Sequence, residues 1–392
     1  MNDNNAGADG KAAPDWDAVR KQFPTTEKLA FLNSGMKVIL PRCVADAMHE
    51  WIEDVYDTAG EMAFAMAETE KTRSAVAETF GASKDDISLI KNTSEGISII
   101  AQGFPWREGD NVVISEIEHE NNTFPWRYLA SRGVETRFAK PDVQGRVTLD
   151  CYRELIDKRT RILALAWVAY GNGYRANLPE LAAFCGARGV KLIVDGIQGV
   201  GVLAAPLSAL GVDALIAGGH KAQLSLTGAG FMYTTPELRS MIVPPYAAKF
   251  SFTSNDRFQP KLELAADGHR FEYGNPNFLG CFVQRRSAEF IGGIGLDRIE
   301  ARVKDLTTQL IDGAEQRQIR MRTPRPWAER AGLISFELGK PSSAVVASLK
   351  RKGIIVSEKD GFLRAGVHFY NNEEDIERLL AGISSPYPSL AR

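Results

Sequence analysis

The chain has 392 residues, more than one hydrophobic core usually serves, so two lobes are expected. Apolar residues make up 44% and charged residues 24%, and the formal net charge of -2 comes with no sustained basic stripe, which argues against a dedicated nucleic-acid binder. The four cysteines, at 43, 151, 185 and 281, form no CxxC and no Cys/His cluster, so neither a metal site nor a disulfide framework is expected.

Residues 1–14 are small and polar and lack an apolar h-region, so they read as a disordered start and not as a signal peptide. No apolar run is long enough to span a bilayer. A cytoplasmic protein with reduced thiols and no membrane partner is the resulting expectation. From about residue 72 to 235, helical and strand patterns alternate. Lys71–Thr79 is an amphipathic helix stopped by Gly81. Ile87–Ile90 is a short strand, and Glu95–Phe104 reads as a helix. Asn111–Ser115 is a buried strand, Asn122–Gly133 a helix, Val134–Ala139 a strand and Leu149–Lys158 a helix. Arg161–Val168 is apolar and short, as a fully buried strand should be. Pro179–Gly189 is a helix with Pro in its first turn and Gly at its end. Lys191–Asp195 and Asp213–Ala217 are further strands. Such repeated units predict a mostly parallel sheet with helices on both faces. After about residue 250 the pattern becomes a long helical region, Gln284–Ala314, interrupted by glycines. Strands at Leu333–Glu337, Ile354–Ser357 and Phe362–Val367 and a terminal helix at Glu373–Ile383 follow. The division is a large domain at 15–250 and a smaller C-terminal α+β domain at 251–392.

Four segments fall at the ends of successive predicted strands, where open α/β sheets bind ligands. Asn92–Gly96 opens a helix, whose free N–H groups and dipole suit a phosphate, with Thr93 and Ser94 adding hydroxyls. Taken alone it is more often an ordinary helix cap. Glu116–Asn122 carries His119, whose imidazole could lie against an aromatic ring; alone it is a solvated polar loop. Asp195 ends a strand, with Gln198 three residues on. A buried carboxylate there could keep a pyridinium nitrogen protonated, or serve as a metal-binding or ribose-binding Asp. His220–Lys221 follows another strand, and a confined lysine can lose its proton and attack an aldehyde, whereas an isolated one is usually a surface residue.

In their order these segments resemble the class V aminotransferase family, which belongs to the fold type I PLP enzymes and includes cysteine desulfurases. The resemblance runs from about Phe31 to about Ile383. It implies an α/β fold with a mostly parallel seven-stranded sheet and a smaller α+β C-terminal domain. It implies pyridoxal 5′-phosphate on Lys221 of GGHK (218–221), with Asp195 and Gln198 of VDGIQGVG (194–201) at the ring. His119 of EHENNTFPW (118–126) would stack on the ring, and Thr93 and Ser94 of NTSEG (92–96) would bind phosphate. FLNSG (31–35) resembles a segment near the substrate, implying Asn33. LRAGVHFYNNEEDIERLL (363–380) places Arg364 on the substrate α-carboxylate. RFEYGNPN (270–277) resembles the segment that homodimers offer to the partner's cofactor phosphate, implying Asn275 and shared active sites.

The sequence departs from the family pattern at several points. Gly218 stands where a phosphate-binding Ser or Thr is usual, so His220 and Asn275 are expected to help. Ala169–Arg175 replaces a more usual loop, with Asn172 as a candidate ring contact and Tyr170, Tyr174 and Arg175 as pocket-shaping residues. Leu338–Leu363 holds no cysteine, although desulfurases carry their sulfur-accepting cysteine shortly before the arginine. A standard desulfurase is therefore not expected. The resemblance implies a substrate amine displacing Lys221 to form an external aldimine, with the freed lysine as base. The expected reaction is transamination or C–S β-elimination on an amino acid or cysteine conjugate. An isopenicillin-N-epimerase-like racemase would need a second base that the sequence does not reveal. A PLP-binding regulator would need a fused helix-turn-helix domain, for which the N-terminus leaves no room. A nucleotide-dependent oxidoreductase would need a GxGxxG after an early strand.

Overall fold

The structure, a computed structural model, describes residues 14–339 and 341–383. The stretch read as disordered lies, up to residue 13, outside the described residues. Helix α1 (Trp16–Arg20) and strand β1 (Ala30–Phe31) lead into α2 (Arg42–Thr58) and α3 (Met66–Phe80). Strands β2 (Ile87–Ile90), β3 (Asn111–Ser115), β4 (Glu135–Ala139), β5 (Thr160–Ala166), β6 (Lys191–Asp195), β7 (Ala214–Gly218) and β8 (Gly230–Thr234) follow. Between and after them lie α4 (Thr93–Gly103), α5 (Phe124–Arg127), α6 (Leu149–Arg153), α7 (Leu178–Gly186) and α8 (Pro236–Met241). The rest is α9 (Phe278–Ile294), α10 (Leu296–Gln316), β9 (Arg320–Met321), β10 (Leu333–Glu337), α11 (Ser342–Arg351), β11 (Ile354–Ile355), β12 (Ser357–Lys359), β13 (Phe362–Gly366) and α12 (Glu373–Ile383).

The seven strands β2 to β8 form one sheet in the order β2-β8-β7-β6-β5-β3-β4. The run from β7 to β4 is parallel, and β8 lies antiparallel between β7 and β2. Parallel strands covered on both faces need apolar side chains on both, and the pattern shows it. Val113, Leu163, Val194 and Leu215 enter one core, while Val112, Ile162, Ile193 and Ile216 enter the other. The chain runs from β3 outward to β4, then returns to β5 on the other side. The carboxyl ends of β3 and β5 therefore flank a topological switch point, the place where such sheets bind ligands.

The C-terminal sheet has the order β12-β13-β10-β9 and is antiparallel throughout. Its core joins α10, α11 and α12 to Ala30 and Leu32, because β1 pairs in parallel with β11. In the other direction, α9 packs on α3, where the Thr72 hydroxyl donates to the Cys281 carbonyl (2.9 Å) and that of Thr79 to Ala288 (3.0 Å). The two cores thus exchange segments across the 250/251 division.

Several elements differ from their predicted extents. Strand β8 was not among the predicted elements. The helix expected at 122–133 is only α5 between two 3-10 turns, with Pro125 inside its first turn removing a donor. The long helix after 284 begins at Phe278 and breaks at Gly295, whose φ is 96°. The helix at 149 stops at Arg153.

Gly201 shows what this architecture demands near β7. Its φ is 92°, and a Cβ there would lie 2.4 Å from the Ala222 carbonyl oxygen, in the loop that carries Lys221. Gly189 has a φ of 66°, but a Cβ added there would meet no atom within 4 Å. We expect Gly201→Ala to cost about 2–3 kcal/mol in chemical denaturation, from clash plus backbone strain. Gly189→Ala should cost about 1 kcal/mol from strain alone. Equal losses would show that the Ala222 backbone yields freely.

Candidate active site

A cleft of about 340 Å³ opens at the switch point, lined from the large domain by Ser94, His119, Tyr170, Asp195, His220 and Lys221. The C-terminal sheet closes it with Ser357, Lys359 and Arg364. The strand ends of the large sheet and the face of the C-terminal sheet thus bring together residues up to 329 positions apart in the chain (35 to 364).

Lys221 stands in a tightly tied loop after β7. Gly219 N–H donates to Ala229 (2.7 Å), and Ser225 N–H returns to the Gly219 carbonyl (2.9 Å). The Gln223 amide donates to the Gly218 carbonyl (3.1 Å) and accepts from Gln284 of α9 (2.7 Å). From the C-terminal lobe, buried His368 reaches the Ala222 carbonyl at 3.1 Å. Its Nδ1 accepts from Phe369 N–H (3.0 Å), so Nε2 carries the proton. Burial lowers the Lys221 amine to about 8; Asp195 opposes this and Arg364 adds to it. A large share of the side chain is therefore neutral and nucleophilic in mildly alkaline solution.

Asp195 is buried at the end of β6, and one oxygen accepts from Ile197 N–H (3.0 Å). Burial raises its pKa, while the Ile197 amide, Lys221 and His119 pull the other way. Behind it lies a residue that sequence reasoning missed. Glu118 is buried and accepts from the Ser115 hydroxyl (2.7 Å), the Asn122 amide (2.8 Å) and Ala166 N–H (3.1 Å). Burial pushes its carboxyl up to about 7, despite these bonds and with some help from the Asp195 charge. It braces the turn that presents His119 against the ends of β3 and β5. The signal was available: hydrogen-bonding residues stand three before and four after Glu118, beside an apolar strand. His119 accepts from Asn121 N–H (3.1 Å) and sets its ring edge-on to Tyr170, 5.0 Å between centroids. Burial lowers its pKa.

At the other end of the cleft, Asn92 caps α4 by accepting from Glu95 N–H (2.9 Å), and Ser94 faces the cavity. Thr93 is buried, its hydroxyl accepting from Gly218 N–H (3.1 Å), so it ties α4 to β7. The Nδ1 atom of His220 is buried without a hydrogen-bond partner. A Cβ at Gly218 would sit 3.3 Å from that atom, so the missing hydroxyl at 218 leaves room for this imidazole. Arg364 on β13 donates from Nε to Ser357 (3.2 Å) and from Nη1 to the Tyr170 carbonyl (2.5 Å). Burial lowers its pKa, which a guanidinium tolerates while staying charged.

Some predicted contacts are not made. Asn172 is not at a ring: its amide donates to Gly145 (2.6 Å) and its oxygen accepts from Tyr174 N–H (3.0 Å), so it shapes a loop outside the cleft. Tyr174 and Arg175 also lie outside, whereas Tyr170 lines it. Asn33 is buried behind the wall, and its neighbours Gly35 and Met36 reach the cavity in its place. Gln198 is in the cleft, but one amide hydrogen is already given to the Gly35 carbonyl (2.9 Å). Asn275 lines a separate cavity of about 110 Å³ with Tyr273 and Gln284. None of the four cysteines lines the cleft; Cys185 and Cys281 are buried, which pushes each thiol up to about 12.

Comparison with known proteins follows the same lines. Residues 37–379 match the sequence profile of the family described as Aminotransferase class-V. A cysteine desulfurase of Salmonella typhimurium is 30% identical over 93% of this chain and 97% of its own. The apo cysteine desulfurase of Thermococcus onnurineus superposes with a TM-score of 0.85 at 26% identity, covering 95% of this chain and 98% of that one. The cystine C-S lyase C-DES shares the fold, with a TM-score of 0.86 at 23% identity over 94% of this chain and all of its own. With most of its length matched and its strand-end residues in one cleft, the chain belongs to the class V aminotransferase family.

Proposed function

We propose that the cleft binds pyridoxal 5′-phosphate and that the protein uses it to eliminate a sulfur-bearing β-substituent from an α-amino acid, without storing the sulfur on a cysteine of its own. The observation that carries this reading is the make-up of the cleft: Lys221, Asp195 and Arg364 line it together, and no cysteine joins them. The residues fit the cofactor. The unpartnered Nδ1 of His220, Ser94 and the first turn of α4 suit its phosphate. The buried Asp195 carboxylate suits a protonated ring nitrogen, and the Lys221 amine suits the aldehyde. When bound, the group supplies an electron sink for the substrate Cα. Residues 270–277, with Asn275 in a cavity of their own, suit the cofactor phosphate of a second copy in a homodimer.

The chain's own residues do the rest. Arg364, aimed by Ser357 and the Tyr170 carbonyl, binds the α-carboxylate in a fixed orientation. Neutral Lys221 takes the Cα proton on Nζ. The Cβ–S bonding pair departs with sulfur, which leaves as a thiol once it gains the proton that Lys221 took. The remaining three-carbon enamine is hydrolysed to pyruvate and ammonia. The relatives include cysteine desulfurases, which act at sulfur by name.

Three outcomes test this reading. The rate of cofactor uptake by apo-protein should rise with pH and level off a little above 8, because only neutral Lys221 attacks the aldehyde; a rise continuing to about pH 10 would indicate an ordinary lysine. Cysteine S-conjugates should give pyruvate and free thiol in equal amounts. A keto acid that retains the sulfur substituent would indicate transamination, and a D-amino acid would indicate racemisation. Replacing all four cysteines with alanine should leave thiol release within about twofold of the parent once folding is confirmed by circular dichroism, because no cysteine meets the substrate.

A further inference from the structure

Two cations enter the cleft from the C-terminal sheet, and an α-carboxylate occupies only one of them. Strands β12 and β13 pair with Ser357 opposite Arg364 and Lys359 opposite Phe362. Opposed and alternate residues share a face, so Lys359 and Arg364 project from the same side of this sheet. Ser335 of β10 lies opposite Arg364 on the next strand and joins that face. Tyr170 stands between the two cations: its carbonyl accepts from Arg364, and its ring centroid is 4.8 Å from the Lys359 ammonium.

Beyond Tyr170 the cleft wall meets a second hollow of about 130 Å³, which shares Tyr170 and Lys359 and adds Arg322, Ser335 and Phe362. Two groups there, Ser335 and Arg322, lack a counterpart of their own, and Lys359 has only weak ones besides Tyr170. The Ser335 hydroxyl is buried with no hydrogen-bond partner. No ion pair is formed by Arg322 among the described residues, and its guanidinium rests 4.2 Å from the Phe362 ring centroid. Lys359 is half-buried, and its nearest carboxylate is the exposed Asp360 at 3.7 Å, a contact of little worth in water. The carboxylates of the hollow, Glu116 and Asp360, are both exposed, as are Glu120 and Glu358 near Lys359, so the buried donor and the half-buried cation lie deeper than the acids. Burial lowers the Lys359 pKa, but Tyr170 and Asp360 more than offset it, so the side chain stays a cation.

We propose that Lys359, Arg322 and Ser335 form a subsite for a carboxylate carried on the sulfur substituent of the substrate, past Tyr170. This rests on the reading of the protein as an enzyme of sulfur-substituted amino acids. The subsite selects long S-conjugates with an acidic end over cysteine itself, and Tyr170 marks the boundary between the two anion-binding positions.

The test compares S-(2-carboxyethyl)cysteine with its uncharged carboxamide on the holoenzyme. The parent protein should favour the carboxylate by about tenfold or more in kcat/KM, the worth of one charge-assisted hydrogen bond, mostly through KM. Lys359→Met should bring that ratio towards one, and Ser335→Ala should reduce it severalfold. Equal kcat/KM for the two compounds in the parent, or a ratio unmoved by both substitutions, would overturn the subsite. If neither compound is turned over, the dissociation constants read from the holoenzyme absorbance decide instead. A carboxylate preference lost in Lys359→Met then upholds the subsite while the elimination reading fails, and equal constants reject the subsite.

Discussion

The site depends on keeping one amine out of water. A lysine buried beside a carboxylate normally stays charged, because the ion pair offsets the lost hydration. Here Lys221 shares the cleft with both Asp195 and Arg364, so the two charges partly cancel and burial decides the balance. That requires a rigid mount. The 219–225 loop obtains it from its own backbone bonds, from Gln223 and Gln284, and from His368 of the other lobe at the Ala222 carbonyl. The exchange of segments between the two cores has a chemical purpose in this light, since the small lobe supplies both Arg364 and the brace behind Lys221.

The legible part of the sequence was the part governed by local pattern. Strands β3, β6 and β10 and helix α12 have the predicted bounds, because short apolar runs ended by polar residues leave little choice. The strand-end residues Lys221, Asp195 and His119 were found for a related reason: the parallel strands of the large sheet put their carboxyl ends on one edge, whereas Arg364, on β13 of the other sheet, was found from the family resemblance. Strand β8 was hidden because GFMYT begins in the glycines that also shape the Lys221 loop. Asn172 was misplaced because a side-chain amide can serve a turn as readily as a ring. Asn172 does so through Gly145 and Tyr174. Glu118 was passed over because a carboxylate in a polar-looking loop gives no sign of burial until Ser115, Asn122 and Ala166 close on it. The pairing of β1 with β11 joins residues more than 320 positions apart, beyond any local pattern.

The placement of the cysteines is what sets the proposed reaction apart from the one its desulfurase relatives are named for. A thiol that takes sulfur from a substrate must reach the substrate and ionise. Cys185 and Cys281 are buried and raised to about 12, and Cys43 and Cys151 also lie off the cleft. The wall towards the second hollow is made instead by Tyr170 and Lys359, an aromatic face and a cation, which under the proposed reading suits recognition of a leaving substituent better than covalent capture.

Borohydride reduction of the cofactor-loaded protein, followed by peptide mapping, tests the central claim most directly. The account predicts loss of the visible absorbance band and a pyridoxyl mass increment on the peptide containing Lys221, absent from Lys221→Ala. A protein that stays colourless after reconstitution, or an increment fixed on a different lysine, would contradict it.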